Sequence, residues 1–172
     1  MKLVLMKFRY RMLLVVLAAI FSLAACASNP LTVNCPDKTR VRQAFSFDMS
    51  ESPEIQILDY FYGIPGCPAI YNTPDLKNRG ESLQVHNENG PMRRAEKLYV
   101  KWRIKNTGKE YEDTVDLRNR LPKDMTGNRV HFSINGSQLF VYLVTPELRP
   151  TDVPPNGPKA FKEQKTITIY PD

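Results

Sequence analysis

Histidine is scarce in this chain, and so are the spacings that usually accompany catalysis or metal binding. His86 and His131 are the two histidines, and they lie in different segments. Neither they nor the cysteines show the short paired spacing of a metal site. The glycines form neither a P-loop nor a dinucleotide-binding fingerprint, and Ser137 lies in a predicted turn rather than in a nucleophile elbow. The sequence therefore predicts a protein that is not an enzyme, with no catalytic residues, no metal and no cofactor.

Long apolar runs are also rare, and the one present lies near the start. It extends from Met12 to Ala25 and is interrupted only by Ser22, so it is shorter than the roughly 20 residues of a membrane-spanning helix. Four basic residues and no acidic residue accompany it within the first 25 positions. The run ends in Leu-Ala-Ala-Cys, which resembles the bacterial lipobox. We therefore predict a lipoprotein signal peptide over residues 1–25 and lipidation of Cys26.

A lipidated Cys26 determines the expected location. Two or more acyl chains hold a protein stably on a bilayer. Ala27 follows the cysteine, so the aspartate of the common inner-membrane retention signal is not there. The sequence thus predicts a protein of the bacterial cell envelope, attached to the membrane through its lipid anchor and facing the periplasm, with the outer membrane as the favoured site.

The positive charge of the chain is largely a property of the signal peptide. The formal net charge is +6, but four of the basic residues lie in the segment that is removed. The remaining 20 basic residues against 18 acidic ones leave a net charge of +2. A nucleic-acid partner, which requires a strongly basic patch, is therefore not expected.

Cys35 and Cys67 remain once Cys26 is assigned to the lipid. An even pair of cysteines in an oxidising compartment predicts a disulfide. Such a bridge would connect the N-terminal segment to the body of the domain. Two free thiols are the alternative.

The sequence after Cys26 divides into two parts. Residues 26–52 are polar and weakly periodic, which predicts a lipidated tether that leads into an irregular or edge segment. Residues 53–172 predict a β-rich domain, because short alternating segments are separated by turn signals and no long helix is indicated. The expected fold is mostly β, a single antiparallel β-sandwich-like domain.

Several segments of this domain have distinct signatures. The first, residues 54–62, is apolar on both faces and predicts a strand that is covered on both sides. Residues 63–80 are rich in turn residues. Residues 146–158 contain five prolines and predict an irregular loop, and residues 165–170 predict the last strand.

Residues 97–117 predict a β-hairpin with a clean period of two in its first arm. A two-residue loop at Thr107-Gly108 would oppose side chains of complementary charge or apolarity, whereas a three-residue loop would oppose Trp102 to Glu112. We therefore favour the two-residue loop, whose pairs are Lys105 with Glu110, Arg103 with Glu112, Val100 with Val115 and Leu98 with Leu117. Asp113 fits this register only if it lies near a sheet edge or finds a hydrogen-bond donor. We interpret the charged face of the hairpin as solvated cross-strand ion pairs rather than as a binding site.

Residues 129–144 predict a second hairpin. Asn135-Gly136 at its centre favours a type I′ turn. Its core face would carry Val130, Phe132, Ile134, Leu139 and Val141. The opposite face would carry His131, Phe140 and Tyr142 among polar residues, which is unusual for a simply solvated face. Because exposed aromatic residues are enriched at interfaces, we predict that Tyr99, His131, Phe140 and Tyr142 bind a partner; the alternative is that another strand or the proline-rich loop covers them.

The stretch from Leu98 to Pro150 combines a tryptophan strand, a glycine-containing hairpin, a Leu-Pro turn and a closing aromatic strand. In this it resembles a family of small bacterial lipoproteins that are immunity proteins against antibacterial effectors, notably lipases delivered into the periplasm by type VI secretion. The resemblance extends over the C-terminal two thirds of the chain and implies a secreted toxin as the protein partner. The first functional hypothesis is therefore a periplasmic immunity protein that binds and neutralises an effector. The second is a structural or assembly lipoprotein of an envelope secretion machine.

Overall fold

The computed structural model describes Cys35 and residues 39–172, and these residues form a mostly β domain. Its nine strands are β1 (Arg40–Asp48), β2 (Ile55–Ile64), β3 (Cys67–Tyr71), β4 (Val85–Arg93), β5 (Lys97–Ile104), β6 (Glu110–Asp116), β7 (Arg129–Asn135), β8 (Gln138–Leu148) and β9 (Gln164–Tyr170). A short helix α1 (Pro74–Asn78) follows β3, and a 3₁₀ turn (Lys159–Phe161) precedes β9. Cys26 and the predicted signal peptide lie outside the described residues.

The strands form two sheets that pack face to face as the two layers of a β-sandwich. The five-stranded sheet has the order β4-β1-β7-β8-β9, and the four-stranded sheet has the order β3-β2-β5-β6. Every neighbouring pair is antiparallel except β1 and β7, which are parallel. The predicted β-sandwich fold is thus confirmed, with one parallel pair inside it.

Strand β1 corrects the predicted domain boundary. We expected residues 26–52 to be a tether with an irregular or edge segment, but residues 40–48 form a strand in the interior of the five-stranded sheet. Phe45 and Phe47 are 0% and 1% exposed. The prediction failed because the pairing of β1 with β7 spans more than 80 residues and leaves no local turn signal.

Strand β4 was also missed, for a different reason. It is an edge strand whose sequence, VHNENGPMR, is largely polar and contains a proline. Edge strands tolerate proline and exposed polar side chains because one side of their backbone needs no partner. Only the backbone register with β1, from Arg40 opposite Arg93 to Asp48 opposite Val85, identifies it as a strand.

The predicted hairpin at residues 97–117 exists as β5 and β6, but its register was wrong. Arg103 lies opposite Glu110 and Lys101 opposite Glu112, and the loop contains four residues, 105–108, with Gly108 N donating to Ile104 O at 2.8 Å. This register lies two residues from the favoured one, so each side chain keeps its predicted face. Asp113 does find a donor, because the Tyr170 hydroxyl donates to its carboxylate at 2.5 Å.

The second predicted hairpin, β7 and β8, is confirmed with a different turn. All five predicted core residues are buried. Asn135 pairs with Gln138, so the two loop residues are Gly136 and Ser137. Gly136 has a positive φ of 57° and no residue other than glycine has a positive φ in the described chain, which fits a type II′ turn rather than type I′. β8 then continues through Pro146, so the proline-rich loop begins later than predicted.

Aromatic side chains of β1 and β2 join the two sheets. The rings of Phe45 and Tyr62 stack with centroids 4.5 Å apart, and those of Phe47 and Tyr60 meet edge to face at 5.0 Å. Trp102 adds a polar link, because its indole Nε1–H donates to Gly136 O across the sandwich at 3.0 Å.

A disulfide joins Cys35 to Cys67 at the start of β3, with the Cα atoms 5.6 Å apart. The predicted pairing is therefore confirmed over the alternative of free thiols. It ties Cys35, which lies five residues before the start of β1, to the four-stranded sheet.

The disulfide should contribute measurably to stability. Replacing both cysteines by serine should lower the free energy of unfolding by about 3 to 4 kcal/mol, because the open chain regains the loop entropy of the 32-residue separation. Urea denaturation measures the change. Reduced wild-type protein is the matched control and should show the same loss; a loss below about 1 kcal/mol in both would contradict the expected contribution.

Candidate functional site

An aromatic row crosses the outer face of the four-stranded sheet. Tyr71 of β3 lies opposite Phe61 of β2, and Phe61 lies opposite Tyr99 of β5. Residues directly opposite each other in antiparallel strands point to the same face. The row therefore extends over three neighbouring strands, and its outer member, Tyr71, is 45% exposed.

A β-bulge in β2 turns Phe61 outward. The register with β5 shifts between Ile57 and Asp59, so that Leu58 is an extra residue. Before the bulge Ile55 and Ile57 face the core, and after it Tyr60 and Tyr62 do. The sequence pattern predicted a strand covered on both faces. In the structure the bulge changes the phase, and Asp59 and Phe61 occupy a half-buried outer face.

The aromatic row forms the floor of an open groove with a volume of about 600 Å³. The β2–β3 turn at Pro65 and Gly66 forms one wall, and Lys77 of α1 lies at another. Lys77 Nζ is 2.6 Å from the Asp59 carboxylate, which holds α1 against the sheet. We call this feature the aromatic groove; it is lined by Asp59, Tyr60, Phe61, Pro65, Gly66, Pro68, Tyr71, Asn72, Lys77, Lys97 and Tyr99.

Asn72 fixes the segment between β3 and α1. Its Nδ2 donates to Glu81 O at 2.9 Å and to Leu58 O at 3.3 Å. The residue is only 4% exposed, and its Oδ1 has no hydrogen-bond partner among the described residues. These two hydrogen bonds therefore hold in place the segment that lines this part of the groove.

The hydroxyl end of Tyr99 connects the aromatic groove to β6. Tyr99 O–H donates to Glu112 Oε2 at 2.9 Å. Burial and this carboxylate raise the pKa of Tyr99 to about 12, so the phenol stays neutral at physiological pH. Lys97 Nζ lies 6.0 Å from the centre of the ring. The groove therefore presents aromatic surface flanked by charges of both signs.

The neighbouring charged face of β5 and β6 carries solvated cross-strand ion pairs, as we predicted, although the partners differ from the predicted ones. Lys101 and Arg103 both contact Glu110, with Lys101 Nζ 2.8 Å from its carboxylate. Hydrogen bonds from these two cations lower the pKa of Glu110. Exposed pairs of this kind add little to stability, because water screens the charges.

The four residues that we predicted to bind a partner do not share one surface. Tyr99 lines the aromatic groove, whereas His131, Phe140 and Tyr142 lie on the outer face of the five-stranded sheet. The loop after β8 packs closely there, since a Cβ on Gly157 would come within 3.1 Å of the Tyr142 ring. The alternative that the proline-rich loop covers this face is therefore correct for Tyr142, while Phe140 remains half-buried beside it.

His131 is buried, and its predicted exposure was wrong. It is 6% exposed, its Nδ1 lies 2.9 Å from Ser46 Oγ, and the Phe161 ring packs edge-on against it at 5.1 Å. Burial, reinforced by the charge of Arg129, lowers its pKa to about 4. A serine and a histidine in contact could form a nucleophile and a base. Here Ser46 is also 6% exposed and Phe161 covers the ring, so the pair serves packing.

Sequence reasoning missed Phe61 and Tyr71 as site residues. Neither left a local signal, because Phe61 faces outward only through the bulge in β2 and Tyr71 lies in a segment rich in turn residues. Among the residues that the structure describes, no group of three or more potential ligands could hold a metal ion. No helix in that part of the chain is long and apolar enough to cross a membrane.

The chain matches no protein-family model, no curated protein and no solved structure.

The buried His131 should make stability depend on pH. Its pKa is about 4 in the folded protein and 6.5 when exposed, so the unfolded state binds the proton first as the pH falls. Its contribution to stability is complete above pH 6.5 and is lost progressively down to about pH 4, by about 3 kcal/mol. Urea unfolding across this range should show a larger loss for wild type than for His131→Gln. His86→Gln is the control and should retain the loss of stability between pH 6.5 and pH 4 that His131 causes. Equal pH profiles of stability for wild type and His131→Gln would refute the assignment of this loss to His131.

The raised pKa of Tyr99 can be tested by removing the neighbouring carboxylate. Glu112→Gln should lower the pKa of Tyr99, because it removes the negative charge that opposes formation of phenolate. NMR titration of tyrosine labelled at the carbon that bears the hydroxyl gives the value. Glu110→Gln removes an equal charge from the same strand without touching Tyr99, and should leave the titration in place.

Proposed function

We propose that this protein is a lipid-anchored binding protein of the bacterial envelope that captures and neutralises an antibacterial effector, and that the aromatic groove is its contact surface. The observation that carries the proposal is the partly exposed row of Tyr71, Phe61 and Tyr99 on one face of the sandwich. Tyrosine and phenylalanine are enriched in the centres of protein interfaces, with charged residues at the rim. Lys77, Lys97 and Glu112 form such a rim here.

The contrast between the two outer faces supports the choice of surface. The loop after β8 and the 3₁₀ turn pack over Tyr142 and His131, whereas the aromatic groove is open and its Tyr71 is 45% exposed. The groove is also well supported, because the salt bridge from Lys77 to Asp59 and the hydrogen bonds of Asn72 hold its walls. Preorganised surfaces of this kind bind with little loss of conformational entropy.

Two features support a location in the envelope. The lipobox-like sequence at residues 23–26 provides an anchor, and the bridge between Cys35 and Cys67 suits an oxidising compartment. An effector that acts in the periplasm must be met there. A tethered β-domain neutralises it by covering its active-site cleft, and this requires no chemistry from the inhibitor. The resemblance of residues 98–150 to immunity lipoproteins points to the same role.

A structural lipoprotein of a secretion machine would carry the same anchor. Deletion of the gene separates the two roles. Loss of an immunity protein leaves secretion by the cell intact and makes it vulnerable to its siblings, while loss of a structural component stops secretion itself.

Groove variants test the proposal directly. A periplasmic toxin encoded beside this protein should be rescued by wild type but not by a Tyr71→Ala, Tyr99→Ala double variant, because each anchor residue of an interface contributes about 2 kcal/mol or more. Rescue of growth and the dissociation constant of the complex are the readouts.

Phe140→Ala with Tyr142→Ala is the matched control on the opposite sheet. It should keep rescue, provided that circular dichroism shows a folded domain. Loss of binding in this control and not in the groove variant would move the contact surface to the five-stranded sheet. Failure of wild type to rescue or bind the toxin would overturn the proposed function.

A further inference from the structure

A second, smaller cleft lies where β1 begins and β4 ends. It has a volume of about 120 Å³ and lies next to the Cys35–Cys67 bridge. One side is formed by the β2–β3 hairpin, including Gly63 and Cys67, and the other carries the two arginines Arg40 and Arg93. This cleft shares only Pro68 with the aromatic groove.

The two arginines are placed in an electrostatically unfavourable way. Arg40 lies directly opposite Arg93 in the antiparallel register of β1 and β4. Like charges in this position destabilise a sheet. Neither side chain has a hydrogen-bond or ion-pair partner among the described residues, and Arg93 Nε is buried without one. A buried, unpaired donor on a charged group costs about 1 to 3 kcal/mol or more.

We propose that this cleft binds the phosphate group of a small anion or of a lipid headgroup. Guanidinium groups present paired N–H donors that match the oxygens of phosphate. One phosphate group would accept hydrogen bonds from the two guanidinium groups and offset the positive charge that they bring to the cleft. The volume equals that of about four water molecules, which suits a group of this size.

The position of the cleft favours the lipid headgroup as the source, and this part rests on the proposed lipid anchor. Cys35, beside the cleft, is nine residues after Cys26, so an extended chain spans about 30 Å at most. The cleft therefore stays within reach of the headgroup layer. Binding of a phosphate group itself does not depend on the anchor or on the proposed function.

Isothermal titration of the full-length protein, purified in neutral detergent, tests the proposal. The two probes are inorganic phosphate and glycerophosphoglycerol, the soluble headgroup of phosphatidylglycerol, each against sodium chloride of matched ionic strength. Wild type should bind at least one probe saturably. Arg93→Gln should weaken binding by about tenfold or more, because it removes a charged hydrogen-bonding partner.

Arg42→Gln is the matched control. Arg42 lies two residues along β1 and does not line the cleft, so its loss should change affinity less than twofold. Thermal unfolding provides a second readout: the bound probe should raise the Tm of wild type but not of Arg93→Gln, and Arg93→Gln should be at least as stable as wild type without the probe.

The two probes identify the source. Preference for glycerophosphoglycerol supports the lipid headgroup, and preference for inorganic phosphate supports a free phosphate. Absence of saturable binding of both probes to wild type would overturn the proposal, and so would equal loss of binding in Arg42→Gln and Arg93→Gln. None of these results bears on toxin rescue, so the two proposals fail independently.

Discussion

The contact of β1 with β2 across the sandwich is the interaction on which the rest of the structure depends. Four aromatic rings, those of Phe45, Phe47, Tyr60 and Tyr62, meet there, and each is at most 2% exposed. Burying a side chain of this size contributes about 1.5 to 3 kcal/mol. β1 also pairs with β4 on one side and with β7 on the other. Without β1, the strands β7, β8 and β9 would lose their connection to β4, and β4 would have no neighbouring strand.

This contact also explains the aromatic groove. Tyr60 and Tyr62 must both face Phe47 and Phe45, while Ile55 and Ile57 must face the core nearer the start of β2. A regular strand cannot place 55 and 57 together with 60 and 62 on one face, because its side chains alternate with a period of two. The bulge at Leu58 resolves the conflict. Phe61 is then the residue that points outward between Tyr71 and Tyr99.

The sequence predicted most of the features that depend on neighbouring residues, namely strands, hairpins and turns. Alternation located β5 to β9 and the faces of both hairpins, and the even pair of cysteines predicted the disulfide. The register of β5 and β6 was wrong because two registers that differ by two residues both oppose basic to acidic side chains. Complementarity of charge therefore cannot decide between the two registers. The observed register has a four-residue loop, and this loop depends on Gly108, whose φ is 68°.

Two of the other failures share a non-local cause. β1 pairs in parallel with a strand far along the chain, and His131 became buried because the distant Phe161 packs on it. The candidate site combines β3, β2 and β5 around a bulge, so Tyr99 could be selected from the sequence but its neighbours could not.

The distribution of covered and open surface follows from chain connectivity. Nine strands in two sheets leave two outer faces, and the segment between β8 and β9 must return along the five-stranded sheet because β9 pairs with β8 there. Its prolines favour extended backbone that needs few hydrogen bonds, so it packs over Tyr142 and brings Phe161 onto His131. The connections of the four-stranded sheet are shorter or lie at its ends. α1 reaches only the margin, where Lys77 contacts Asp59. The topology thus leaves the aromatic row open to solvent, and this is why we propose that sheet as the recognition surface.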